Sequence, residues 1–155
     1  MFAETIMDTN FHFLHPRQSI TEAVGMFKSA SIAENKKIFG MMVIDSKDQL
    51  VGMVSMYDIL LFIRPKHIQI LGEMEDLPEE LLFEGIMNRV KPLRVEDLMS
   101  TELVTVRPDT QLIMAMDIMI QKHIRRLPVV DHGKVIGIIY RSDLFFHFMD
   151  ILIRD

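Results

Sequence analysis

The sequence predicts an α/β fold of the α+β kind, built from two copies of one β-α-β-β-α unit. Three observations carry this. The chain matches itself at a nearly fixed offset. Inside each copy, short apolar strands alternate with helical stretches. The apolar content is high, 49% in the set AVILMFWYC, yet the longest obvious apolar block is Ile59–Ile63. That block is far short of the roughly 18 apolar residues a membrane helix needs. The 155 residues suffice for one ordinary domain or two very small ones. The absence of cysteine excludes a disulfide scaffold, and the apolar content excludes a disordered tail.

Shifted by 92 positions, residues 4–23 meet residues 96–115. Glu4 falls on Glu96, Met7 on Met99, Thr9 on Thr101, Pro16 on Pro108 and Ala23 on Ala115. Average residue usage gives about one such identity in twenty positions. The offset then drops to 86, setting Val43-Ile44-Asp45 on Val129-Val130-Asp131, and to 85 for Gly52 on Gly137 and Asp58 on Asp143. The first copy thus carries extra residues around Ser31–Phe39. The chain divides into a repeat over 1–63, a connector over 64–94 and a repeat over 95–155, the two repeats forming one module.

Each copy opens with a helical turn, Glu4–Met7 or Glu96–Met99, and a strand, Phe11–Leu14 or Leu103–Val106. Proline and a polar N-cap candidate, Ser19 or Thr110, then start a helix. Two apolar strands follow: Met41–Asp45 with Leu50–Val54, and Leu127–Val130 with Val135–Tyr140. Asp131-His132-Gly133-Lys134 between the latter two is a hairpin signal. Helices over Tyr57–Ile63 and Asp143–Ile153 close the units. The connector has breakers at Pro65, Pro78 and Pro92, and a helix from Pro78 to about Val90 with Leu81, Leu82, Phe83, Ile86 and Met87 as its apolar face. That helix is either a solvated acidic helix packing one stripe or a partner-binding element.

Seventeen Lys and Arg against 22 Asp and Glu give a charge of −5, which argues against DNA or RNA as a partner. Locally the charge is uneven: Glu73 to Glu84 holds six acids and no base, while Lys122, His123, Arg125 and Arg126 crowd together. The histidines at 12, 15, 67, 123, 132 and 147 show no metal-ligand spacing, so no metal site is expected, and no nucleophile pairs with a base. Met1-Phe2-Ala3-Glu4 lacks the pattern of a secretory signal, and a cytoplasmic location is the default.

The ordered motifs Val95-Glu96-Asp97-Leu98-Met99-Ser100-Thr101, Val104-Thr105-Val106, Arg126-Leu127-Pro128-Val129-Val130-Asp131 and Gly137-Ile138-Ile139 resemble the cystathionine-β-synthase-type (CBS) domain. Gly52-Met53-Val54-Ser55-Met56-Tyr57-Asp58 matches the same family's Gly-x-x-Ser/Thr-x-x-Asp pattern in the first copy. The chain is therefore similar to a tandem CBS pair, a Bateman module. The resemblance implies two repeats packed about a pseudo-twofold axis, with clefts that take AMP, ADP, ATP or S-adenosylmethionine. It implies a regulatory module with no required cofactor and no enzymatic activity, passing ligand occupancy to an effector protein. In one cleft it points to Ser55 and Asp58. In the other it points to Asp143 and Arg126, with Thr105 beside them.

Residue chemistry bears on both clefts. Ser55-x-x-Asp58 places a hydroxyl and a carboxylate at a helix start, where they either serve a ribose and phosphate or close a capping box on their own helix. Gly40 stands where the second copy has Arg126. Tyr140 replaces the family's Ser/Thr and either stacks on a base or blocks the pocket, while Ser142 beside Asp143 is the substitute cap. Arg125 and Arg126 suit bidentate phosphate contacts. The helices over 110–122 and 143–153 are apolar nearly all round. They form either a homodimer interface or a deep intramolecular core. The rival to a nucleotide sensor is a ligand-free dimerisation scaffold.

Overall fold

A computed structural model describes residues 1–64 and 79–154. Pro65, His67, Pro78 and the acids Glu73, Glu75 and Asp76 lie outside the described residues. The elements fall into two compact units, one of residues 12–46 and 51–101, the other of residues 1–11, 47–50 and 102 onward. The opening segment of each repeat therefore packs in the unit that holds the other repeat's hairpin.

The first unit holds β1 (Phe13–Leu14), α2 (Ile20–Ala33), β2 (Gly40–Ile44), β3 (Leu50–Ser55), α3 (Met56–Ile63), α4 (Glu79–Val90) and α5 (Val95–Leu98). The sheet order is β1-β2-β3, with β1 parallel to β2 through Phe13–Met42 and Leu14–Val43. As the central strand, β2 is buried at every position. Ser19 caps α2 as expected, its hydroxyl accepting from Glu22 N at 3.1 Å. The helix buries Ile20, Ala23, Phe27 and Ala30, one stripe at helical spacing, against Leu14, Val43 and Val54. The extra residues of this copy extend α2 and turn back. Ser31 Oγ donates to Phe27 O at 2.7 Å and accepts from Ile38 N at 3.1 Å, which brings Ile38 into the core.

The connector helix α4 corrects the expected apolar face. Leu82 and Ile86 are half-buried and Val90 is buried, whereas Leu81, Phe83 and Met87 are exposed. The buried stripe follows the four-residue spacing of a helix face and leaves the intervening apolar residues outside. Arg89 Nη2 donates to the carbonyls of Phe62, Ile63 and Arg64, capping the end of α3.

The second unit contains α1 (Ala3–Ile6), α6 (Leu112–Lys122), β4 (Arg126–Asp131), β5 (Lys134–Tyr140) and α7 (Arg141–Leu152). The β4–β5 hairpin closes at Asp131–Lys134, with His132 at φ 50° and Gly133 at φ 81°, a two-residue turn of the type that right-twisted strands favour. Its core gathers Ala3, Val106, Leu112, Leu127, Ile139 and Leu144.

Three expectations are corrected here. The strand over 103–106 shrinks to one parallel bridge, Val106 with Val129. Pro128 is the reason. Val106 N donates to Pro128 O and Val130 N to Val106 O, but the next rung would need an N–H that proline lacks. The first copy has Met42 there, and its ladder continues to Phe13. Thr110 does not cap α6: the helix starts at Leu112 after Gln111, and Leu112 N is met by Met1 O at 2.9 Å. Thr110 Oγ1 instead accepts from Arg107 N at 3.0 Å. Ser142 caps nothing, because α7 starts at Arg141 with Tyr140 as its N-cap, which leaves Ser142 inside the first turn.

The helices that read as apolar all round are covered on one side only. On α6, Ile113, Met114 and Ile120 stand exposed, and on α7 so do Phe145, Phe146 and Leu152, the last at 78%. A deep core within either unit does not account for these side chains.

Candidate functional site

In the first unit, β3 runs into α3 at Ser55. Ser55 Oγ accepts from Asp58 N at 3.1 Å, and Asp58 Oδ2 accepts from Ser55 N at 2.8 Å and from Ser55 Oγ at 2.9 Å. This is a closed capping box, in which hydroxyl and carboxylate satisfy the donors at their own helix end. Both carboxylate contacts use Oδ2. The neighbouring chain enters through Phe39 and Gly40, where Phe39 O accepts from Met56 N at 2.8 Å. Phe39 and Gly40 stand where the second copy has Arg125 and Arg126.

In the second unit, β5 runs into α7 at Tyr140. Arg126 pairs directly across the hairpin with Tyr140, and Arg125 O accepts from Arg141 N at 2.9 Å. Tyr140 gives α7 no side-chain cap. Ser142 and Asp143 lie exposed in the first turn, and Arg125 is exposed beside them. The structure thus brings Arg125, Arg126, Tyr140, Ser142 and Asp143 to one end of the hairpin. Lys122 ends α6, and His123 follows it in the left-handed conformation at φ 53°. Chemically, this end offers guanidinium groups and a helix N-terminus for an anion, a carboxylate for a diol, and an aromatic ring.

Thr105 is not part of that group. It lines a cleft of about 610 Å³ together with Arg107, Gln111, Asp131 and His132, toward the turn end of the same hairpin. The sequence reading missed this cleft, since Asp131 and His132 signalled only a turn. Among the described residues, no three His, Asp or Glu side chains gather as a metal site. His12 pairs instead with Glu34 at 3.0 Å. Among them also, no helix is long and apolar enough to cross a membrane.

The model of the CBS domain matches residues 3–65 and 95–150. This chain belongs to the CBS-domain family. It is a tandem pair. The pair is 32% identical over 121 residues to an uncharacterized protein of Methanocaldococcus jannaschii, covering 70% of this chain and 71% of that one. It is 31% identical over 149 residues to the chloroplastic CBS domain-containing protein CBSX2 of Arabidopsis thaliana, covering 87% of this chain and 57% of that protein. The chain thus spans little more than half of the plant relative. Among solved structures, CBSX2 in complex with AMP aligns at a TM-score of 0.70 and 26% identity, covering 97% and 98% of the two chains. A CBS domain-containing protein of Kribbella flavida aligns at a TM-score of 0.76 and 20% identity, covering 96% and 99%, a likeness of fold.

Proposed function

We propose that this CBS pair is a regulatory module that senses an adenosine-containing ligand and has no catalytic role. Its main binding end is formed by Arg125, Arg126, Tyr140 and Asp143. The observation that carries this is the α7 N-terminus: it has no side-chain cap, and two arginines and an exposed carboxylate lie beside it. Arg125 and Arg126 hold the phosphate, Asp143 accepts from the ribose hydroxyls, and Tyr140 stacks on the adenine. The AMP complex of CBSX2, similar over nearly the whole chain, supports the ligand class. The Ser55–Asp58 end, closed on itself and with Phe39 and Gly40 in place of the two arginines, is the weaker site. Occupancy reaches an effector protein through linkage, because a partner that prefers the liganded state is coupled to ligand by the same free energy.

A second reading rests on the exposed apolar faces of α6 and α7, which suit a homodimer through residues 110–122 and 143–153. As a scaffold alone, the pair would dimerise without ligand. Thermal denaturation with AMP, ADP, ATP and S-adenosylmethionine separates the two. Ligand at about 100 times its Kd adds about 2.7 kcal/mol, a rise of several degrees. Asp143→Ala and Arg126→Ala should each abolish most of that rise. No shift across the panel, on protein confirmed free of ligand, sinks the sensor and leaves the scaffold, which light scattering then reads as dimer or monomer.

A further inference from the structure

The cleft at the turn end of the β4–β5 hairpin lies at the other end of the ribbon from the Arg126–Tyr140 pair. Its volume of about 610 Å³ falls in the range of small-molecule sites. The floor is apolar. Val106 and Val130 come from neighbouring segments joined by the Val130 N to Val106 O bond of 2.8 Å. Met114 and Ile118 come from α6, on the same stripe as Gln111. Ile113 and Ile120 lie on a different stripe, and Met114, exposed like them, borders both the cleft and the apolar face that suits a dimer.

The rim is polar. Arg107 Nε donates to Asp109 Oδ1 at 3.1 Å, which steers the guanidinium and leaves its Nη groups as donors. Thr110 Oγ1 accepts from Arg107 N, so its own proton is left to give. On the hairpin side, His132 Nδ1 lies 2.9 Å from Asp131 Oδ1, on a turn fixed by two residues at positive φ.

Charge decides what such a cleft can hold. Among the described residues of the lining, Arg107 is the one fixed cation and Asp131 the one fixed anion. A polyphosphate would set several negative charges against a guanidinium already shared with Asp109, with Asp131 opposing them. A wholly apolar molecule would desolvate both charges without pairing either. A small zwitterion with an apolar tail satisfies all three surfaces. We infer that the cleft binds an apolar α-amino acid. Its carboxylate lies on Arg107, its ammonium on Asp131, and its side chain on Met114 and Ile118. The flexible thioether of Met114 accommodates side chains of different shape. This site is independent of the nucleotide end and goes beyond it.

Isothermal titration of the full chain with L-leucine, L-methionine and L-phenylalanine, in the absence of nucleotide, tests it. At least one should bind saturably at one site per chain. Isoamylamine and 4-methylpentanoate, which are leucine without its carboxylate and without its ammonium, should each bind at least tenfold more weakly. Arg107→Met should weaken amino-acid binding at least tenfold and leave AMP binding within twofold. The Arg107 side chain is 75% exposed, so its replacement leaves the melting midpoint unchanged. No saturable binding by any of the three up to their solubility, full binding retained in Arg107→Met, or displacement of the amino acid by AMP would each overturn the assignment. Because the titration needs no nucleotide, a failure of the AMP reading leaves this result standing.

Discussion

The first turns of α3 and α7 hang from the same backbone bond: Met56 N to Phe39 O at 2.8 Å in one repeat, Arg141 N to Arg125 O at 2.9 Å in the other. The side chains around that bond differ almost completely. The first repeat has Phe39, Gly40 and a Ser55–Asp58 box that closes on itself. The second has Arg125, Arg126 and an uncapped Tyr140 with Asp143 beyond it. Main-chain bonds hold both strand-to-helix junctions, so the side chains there are free to diverge. One copy uses its polar groups on its own helix, and in the other Arg125, Ser142 and Asp143 stand exposed.

The two copies also share a close approach that should cost each of them the same to disturb. A Cβ on Gly137 would lie 2.5 Å from Met7 Sδ and 2.9 Å from Met7 Cβ, and one on Gly52 would lie 2.6 Å from Met99 Sδ and 3.0 Å from Met99 Cβ. Rotating the thioether away does not clear the methionine stem. Gly137→Ala and Gly52→Ala should each cost about 1–3 kcal/mol by overpacking, measured by urea denaturation. Met7→Ala should recover part of the loss in Gly137→Ala. A cost in one copy only would break the equivalence of the repeats. Next in size, Ser55→Ala should lose about 1 kcal/mol, as removal of an N-cap does. Tyr140→Ala, with no side-chain cap to lose, should leave the first turn of α7 as it was. Smallest, Tyr140→Ser places Ser-x-x-Asp at the start of α7 and should close a second box with Asp143. Slower amide exchange at Asp143, together with weaker AMP binding, would show that the second copy gains its ligand end by leaving that box open. Unchanged exchange would mean that the tyrosine is not what keeps it open.

Much of this was legible along the chain, for local reasons. Asp131-His132-Gly133-Lys134 carries residues that tolerate positive φ, and a hairpin forms there. Ser19 has the hydroxyl an N-cap needs, and it caps. Thr110 misled because residue type outweighed register: the repeat sets Ser19 on Gln111, and Gln111 is where α6 is capped. There the missing cap comes from Met1 O, which residue preference cannot reveal. The lost rungs at Pro128 were readable from proline's missing N–H, once Met42 is recognised as its counterpart. The cleft around Arg107 and His132 was not readable, since its walls meet only when the hairpin turn folds over the start of α6. The membership of the units was hidden for the same reason. Asp8 exchanges two backbone bonds with Ile138, and nothing near Asp8 in the chain announces it.

That membership has a consequence for how the protein is made. Ala3 N donates to Thr110 O, Glu4 N to Pro108 O, and Met1 O receives Leu112 N. These residues therefore have no such partners until Pro108, Thr110 and Leu112 have been synthesised. The first unit faces no such delay, because its sheet closes on α5 soon after the connector is complete. Synthesis thus imposes a sequence of events: the first unit can consolidate while residues 1–11 wait, and the second unit assembles last, once residues 102 onward can join them.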